Sequence, residues 1–141
     1  GKKDEQLIEW FPGLSRKKAF SRSVGGVKIF DMPRFFKKLP NFDECSSYLV
    51  GWLAGYFAAD GSVHKGGHPE LSSAKRENLE FVERLCWKLG IRTCGISESE
   101  RTGFVGRKPS KIYRLNFDVG SLPRYFFLLD GHRERIAEDS Y

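Results

Sequence analysis

The sequence contains little of what marks several common protein classes. Its three cysteines, Cys45, Cys86 and Cys94, are odd in number and lack the spacing of zinc ligands. They argue against a disulfide framework or a zinc site and indicate a reducing compartment. The longest apolar run covers about 12 residues, short of the ~20 that a membrane-spanning helix requires. We therefore expect no association with a membrane.

What the sequence does contain is an ordinary globular composition with an excess of positive charge. Its 141 residues are 40% apolar and 14% aromatic, which suits one domain with a proper core, or one domain and an arm. The net charge of +6 and the isoelectric point near 9.3 favour a polyanionic partner. Solubility alone is the other explanation, since many soluble proteins are modestly basic.

Residues 46–63 organise the rest of the chain. Wound as a helix, this stretch collects small side chains at or beside one stripe: Gly51, Ala54, Gly55, Ala58 and Ala59. Small residues at this spacing allow two helix backbones to approach more closely than the usual ~8–10 Å between axes. The opposite side is apolar and is predicted to lie on a sheet.

The ends of this helix carry capping signals and one unusual acid. Ser46 or Ser47 is the predicted N-cap, and Gly61 is predicted to adopt the left-handed conformation after the C-terminus. Asp60 faces the negative end of the helix dipole, which is unfavourable by ~0.3–1 kcal/mol. If two such helices pair, their carboxylates and last carbonyls converge, and a hard divalent cation would stabilise that cluster. Asp60 therefore indicates a metal site.

Residues 53–61, which read LAGYFAADG, resemble the signature of the LAGLIDADG homing endonucleases. They keep the opening Leu-Ala-Gly, the penultimate acid Asp60 and the final Gly61, whereas Ala58 stands where the eponymous motif has an earlier acid. In that family the penultimate acid is the metal ligand. Short glycine-alanine patterns are common by themselves, so the order of the following elements matters.

That order agrees with the resemblance. The predicted elements after the first helix are a strand pair at 62–65 and 70–74 around Gly66-Gly67, a helix at 75–89 capped by Gly90, a strand pair at 91–99 and 111–118, and a closing helix that starts near Ser121, runs through Leu129 and is interrupted at Asp130-Gly131 before 132–138. The resemblance implies an α+β domain of αββαββα order, with a curved antiparallel four-stranded sheet. One face of the sheet would straddle the DNA major groove, and the helices would cover the other.

We place this domain at residues 44–141, after an N-terminal arm at 1–43. The arm mixes basic with aromatic residues and is broken by glycine and proline. Contact of its charges with phosphates and docking of its rings on a neighbouring apolar surface are both open.

The resemblance implies a site-specific endonuclease that cuts both strands of DNA. One copy of the motif is present, so the simplest arrangement is a homodimer about a two-fold axis at the small residues, acting on a pseudo-palindromic duplex. Asp60 and the Ala59 carbonyl would hold Mg²⁺, for which Mn²⁺ would be a substitute. The candidates for the basic catalytic residues that family members add are Lys75, at the end of the first strand pair, and Lys111 or Arg114 in the second. Exposed lysines of this kind are more commonly solvated or bound to phosphate.

Sequence readout would then fall to groove-facing and loop side chains. The predicted DNA contacts are Ser62, His64, Lys65, His68, Glu70, Ser72, Thr93, Ser97, Arg107, Lys108, Arg114 and Asn116. Arginine suits guanine edges and asparagine suits adenine edges.

Two alternatives remain beside the nuclease. A non-cleaving, sequence-specific nucleic-acid-binding module, such as an intron maturase or a regulator, would keep the same fold. Because the chain opens with Gly1, a piece excised from an intein or a replication protein is the other. The resemblance implies a product of a mobile genetic element such as an intron, in the cytoplasm of a microbial or phage-infected cell and associated with the nucleoid, or in an organelle.

Overall fold

The computed structural model describes residues 22–24, 27–29, 38–102, 105–106 and 108–138. The chain divides into two compact units, Gly1–Glu44 and Cys45–Tyr141. In the first unit, β1 (Arg22–Val24) pairs antiparallel with β2 (Val27–Ile29). Most of the arm at 1–43 lies outside the described residues, so its predicted contacts stay predictions.

The described residues of the second unit form three α-helices and a four-stranded sheet. Its elements are α1 (Ser46–Asp60), β3 (Gly61–His64), β4 (His68–Ser73), α2 (Arg76–Leu89), β5 (Thr93–Arg101), β6 (Ser110–Phe117), a 3₁₀ turn (Val119–Ser121) and α3 (Asp130–Glu138). The strand order is β3-β4-β6-β5, and every neighbouring pair is antiparallel. The predicted α+β class and αββαββα order are confirmed.

Glycines with a positive φ form the turn of the first hairpin and end the second helix. Gly66 and Gly67, between β3 and β4, have φ of 101° and 72°, which side chains rarely tolerate. Gly90 has φ of 75° and ends α2 in the left-handed conformation, with its N–H directed to the carbonyls of Cys86 and Trp87. Both predictions are confirmed.

The core lies between the helices and one face of the sheet. Its buried members are Leu49, Leu53, Ala54 and Phe57 of α1, Leu79, Val82, Leu85 and Cys86 of α2, Val63, Leu71, Leu115 and Phe117 of the sheet, and Ile91, Phe126 and Phe127. Phe57 is fully buried, and its ring centroid lies 5.4–5.9 Å from those of Phe117, Phe126 and Phe127. Among the described helices, none has both the length and the apolar character that crossing a bilayer requires.

The predicted closing helix is wrong in its position. The segment at 122–129 is irregular, and α3 begins at Asp130, where an interruption was expected. Leu122 has φ of −77° and ψ of 143°, the extended conformation that a following proline favours. The chain is therefore not helical where the predicted helix would begin, and Phe126 and Phe127 enter the core from irregular backbone. Asp130 then suits a first helical turn, where an acid faces the positive end of the dipole, and it pairs with Arg133.

The predicted caps of α1 are also corrected. The N-cap position is Cys45, which makes no side-chain capping hydrogen bond, rather than Ser46 or Ser47. The Oγ of Ser47 lies 3.4 Å from the Sγ of Cys45. Gly61 has φ of −84° and is extended, because β3 starts directly at that residue.

Candidate nucleic-acid interface

The junction between α1 and β3 carries an exposed acid. Asp60 is the last residue of α1, and its side chain is exposed. The N–H of Gly61 donates to the carbonyl of Phe57. A Cβ at Gly61 would lie 2.5 Å from that carbonyl oxygen and 2.6 Å from the Phe57 ring. Glycine is therefore required here by close approach to Phe57, not by a left-handed backbone.

Gly51, Gly55 and Ala59 form an outward-facing stripe on α1, called here the exposed stripe. A Cβ built on Gly51 or on Gly55 would meet no atom within 4 Å. The prediction that Ala54 and Ala58 belong to the same surface is wrong, since their exposures are 4% and 0%. Buried positions cover about half of the helix circumference, which leaves a narrower outward face than the spacing of small residues suggested.

A polar cluster lies beside the acidic end of α1. The phenol of Tyr56 hydrogen-bonds to the side chains of Ser73 and Asn78. Burial raises the pKa of Tyr56 and the charge of Asp60 raises it further, while those two hydrogen bonds act in the opposite direction. The backbone N–H of Lys75 donates to the Oγ of Ser73 at 3.1 Å. The end of β4 and the start of α2 are thereby tied to α1 near Asp60.

The polar role of Tyr56 and its two partners was missed from the sequence. Tyr56 precedes Asp60 by four residues, which puts the two side chains on one side of α1, and that spacing was an available signal. Lys75 belongs to this neighbourhood as the exposed N-cap residue of α2. Its predicted catalytic role stays a prediction.

The structure does not bring Lys111 to Asp60. Lys111 lies on the same side of β6 as Leu115, four residues or about 13 Å along the strand from the sheet row that contains Gly61. Its Nζ lies 2.9 Å from Oε1 of Glu98 on β5. The hydrogen bond to Glu98 raises the pKa of Lys111 and keeps the ammonium protonated. The position therefore does not support a catalytic role within one subunit.

The face of the sheet turned away from the helices is polar. The term "polar face" refers here to the following residues: Ser62, His64, His68, Glu70, Ser72, Ser97, Ser99, Arg114 and Asn116. The strand register brings these residues together: Ser62 pairs with Glu70, which pairs with Asn116, and Ser72 pairs with Arg114, which pairs with Ser97. Paired residues in an antiparallel sheet project on the same side. Apart from Ser99, which was not predicted, these residues were expected on one face and lie there, and their contact with DNA stays a prediction.

An ionic cluster occupies the middle of the polar face. The side chain of Glu70 is 13% exposed, and its Oε1 lies 3.1 Å from Nε2 of His64 and 3.4 Å from Nε of Arg114. The Nη1 of Arg114 donates to Oγ of Ser99 at 2.5 Å. Four side chains from all four strands are thus linked through one carboxylate and one guanidinium.

Thr93 does not belong to the polar face, so its predicted groove contact is wrong. It pairs with Phe117, which is buried on the helix side of the sheet. The register of β5 shifts between Thr93 and Ile96, and Gly95 within this bulge has φ of 83°. A bulge inserts one extra residue, so the alternation that aligned Thr93 with Ser97 is broken.

The structure describes two of the three basic residues that were predicted to contact DNA from loops. Lys65 lies in the turn between β3 and β4 and is exposed, and Lys108 is exposed before β6. Arg107 lies outside the described residues. Contact of these two lysines with a phosphate backbone stays a prediction.

Comparison with known families agrees with this arrangement. A family model described as a LAGLIDADG-like domain matches residues 47–117, from α1 through β6. The chain belongs to this family. No curated protein and no solved structure matches it. Membership supports a nuclease or nucleic-acid-binding role and implies binding to DNA, in line with the basic charge of this LAGLIDADG-like chain.

The acidic end offers oxygen ligands of the kind that a hard cation prefers. The Asp60 carboxylate is exposed, and the Ala59 carbonyl lies in the last turn of α1. Within the ranges that the structure describes, no three His, Cys, Asp or Glu side chains converge as a metal cluster. The donor set of one subunit therefore fits a divalent ion that takes its other ligands from water, phosphate or a second subunit.

Proposed function

We propose that this LAGLIDADG-like protein is a divalent-metal-dependent, site-specific double-strand DNA endonuclease that acts as a homodimer. The observation that carries the proposal is the position of Asp60, exposed at the end of α1 and directly after the exposed stripe. Pairing of two subunits through Gly51, Gly55 and Ala59 would bring two Asp60 carboxylates together. Two carboxylate sites are what cleavage of two strands requires.

In this mechanism each part of the domain has a separate task. The polar face and the flanking lysines bind and orient a duplex, and the two-fold axis makes the preferred site pseudo-palindromic. Asp60 and the Ala59 carbonyl of each subunit would hold Mg²⁺ or Mn²⁺, which supplies activation of a water and neutralisation of charge on the leaving 3′ oxygen. Tyr56 keeps the β4–α2 junction against this end of α1, and Lys75 can contact the phosphate there.

The test is cleavage of a plasmid library with Mg²⁺, followed by sequencing of the cut ends. We expect Asp60→Asn to reduce cleavage by about 10³-fold or more, since loss of several kcal/mol of transition-state stabilisation has that effect. Duplex binding should change little. Asp130→Asn, which removes an equal charge from another exposed helix end, serves as the matched control and should cut normally.

A non-cleaving DNA-binding module is the second candidate. The polar face favours it, because its side chains from four strands are linked to one another without Asp60. If the wild-type protein selects a duplex sequence but cuts none with Mg²⁺ or Mn²⁺, this candidate replaces the nuclease. An endonuclease encoded by a mobile element, such as an intron, would instead cut the duplex at the site that it selects.

A further inference from the structure

We infer that Glu70 is a positioning residue for DNA readout, which orients the Arg114 guanidinium and does not itself contact a base. The inference rests on the proposed function only so far as the polar face binds DNA. It reassigns Glu70, which the sequence suggested as a direct contact, and it makes Arg114 the specificity-determining residue of this face.

The first support is the geometry around Glu70. The side chain of Glu70 is 13% exposed, whereas those of Arg114 and His64 are 38% and 53% exposed. Glu70 lies on β4, with Arg114 diagonal to it on β6 and His64 diagonal to it on β3. Nε2 of His64 and Nε of Arg114 approach the same oxygen, Oε1. The acid is thus recessed between two more exposed donors that a duplex would meet first.

The second support is the way in which Arg114 is held. Glu70 lies against its Nε and Ser99 accepts from its Nη1, so the guanidinium is fixed from two sides. These contacts leave the Nη2 donors and one Nη1 donor for a ligand. A planar guanidinium that offers two adjacent donors matches the O6 and N7 acceptors of guanine. Arg114 would therefore be ordered for base readout before DNA arrives.

The recessed carboxylate of Glu70 also disfavours binding to DNA of random sequence. It neutralises part of the charge of Arg114 and repels phosphates, so a duplex that offers no matching base edge gains less from this face. Removing the acid should weaken discrimination while strengthening attachment to random DNA. Loss of a negative charge strengthens attachment to random DNA whatever the role of Glu70, so the loss of discrimination is the change that a purely structural ion pair would not give.

The experiment compares Glu70→Gln with Glu98→Gln. Glu98 is also a sheet glutamate paired to a cation, Lys111, but on the helix side, so both variants lose one negative charge from the same sheet. Binding to the best duplex selected from a random library and to random duplex is measured across a range of salt concentrations. In Glu70→Gln, the affinity ratio of selected to random duplex should fall about tenfold. The salt slope for random duplex should steepen by about one per subunit, because Arg114 is free to meet a phosphate.

The inference is overturned if Glu70→Gln leaves the ratio unchanged, weakens both duplexes equally, or changes them no more than Glu98→Gln does. Thermal unfolding of each variant identifies loss of fold, and Glu70→Asp, which keeps the charge, should restore part of the ratio. In an Arg114→Gln background, Glu70→Gln should alter the ratio no further, because Glu70 acts through Arg114. A wild-type protein that enriches no sequence would overturn the proposed function itself, and the inference with it.

Discussion

The inward side of α1 carries large side chains, whereas the outward side carries glycines. On the inward side, Leu49, Leu53 and Phe57 are fully buried. On the outward side, Gly51 and Gly55 have open space where a Cβ would be. Both sides belong to one helix of 15 residues, so composition alone does not distinguish them. The contrast indicates that the inward side holds the subunit together and that the outward side is available to another molecule.

Phe57→Ala should give the largest effect on stability. It removes a ring that contacts three phenylalanines and leaves a cavity, which costs about 3–5 kcal/mol of unfolding free energy. Tyr48→Ala, at an outward position of the same helix, should cost about 0.5 kcal/mol or less. Urea unfolding of both variants measures the difference. Equal losses would remove the distinction between the two sides.

Gly55→Leu adds a large side chain to the outward side of α1, whereas Phe57→Ala removes one from the inward side. Since no atom of its own subunit lies within 4 Å of the added Cβ, the monomer should fold normally. Under the proposed function, the dimer should weaken by about 30-fold or more, because a bulky residue would separate two closely packed backbones. Analytical ultracentrifugation across protein concentration gives the association constant, with Arg84→Leu on the exposed side of α2 as control. A variant that dimerises like wild type would place the interface elsewhere.

Gly61→Ala and Gly51→Ala should shift stability in opposite directions. At Gly61 the new methyl overlaps the Phe57 carbonyl and ring, which should cost about 1–3 kcal/mol. At Gly51 the methyl enters open space and improves helix propensity by about 0.8–1 kcal/mol. Thermal unfolding at low protein concentration measures both variants. A destabilised Gly51→Ala monomer would contradict the open geometry of the exposed stripe.

The buried and the exposed cysteine thiols should differ in their response to pH and to thiol reagents. Burial raises the pKa of Cys86 from 9.0 to about 12, with a smaller contribution from Glu83. Between those values the unfolded chain loses a proton that the folded chain keeps, so the unfolding free energy falls as pH rises above 9. The fall is at most ~1.4 kcal/mol per pH unit.

Urea unfolding of wild type and Cys86→Ala between pH 8 and 11 isolates this effect, since the variant should show a flatter decline. Parallel pH profiles would mean that the Cys86 thiol is not protected in the fold. In the native protein at pH 8, Cys45 and Cys94 are exposed and should react with a thiol reagent far faster than Cys86 does.

Periodicity and turn chemistry were sufficient to predict most of the fold. The alternation in β6, the Gly66-Gly67 turn and the Gly90 cap are local signals, and each led to an element in the expected place. Errors arose where a local irregularity interrupted the expected pattern. The bulge at Gly95 changed the side of the sheet on which Thr93 lies, and the extended Leu122 before Pro123 lies where the predicted helix would begin.

Asp60 and the polar positions of each strand were predicted from patterns within single elements, whereas the contacts between elements were not. Asp60 was identified from the helix that carries it. The link from Tyr56 to Ser73 and Asn78 joins three elements, and the contact of Glu70 with Arg114 joins two strands that are distant in the chain. Such links depend on strand order and register, which the pattern of a single segment does not contain.

The direct continuation of α1 into β3 sets a fixed distance along the chain. No loop separates Asp60 from Gly61, and His64 follows after one short strand, about 13 Å away from Asp60 if fully extended. Under the proposed function, this stretch acts as a molecular ruler between the bond that is cut and the bases that are read. Exchanging side chains on the polar face would then change which sequence is chosen, while the offset between that sequence and the break stays constant.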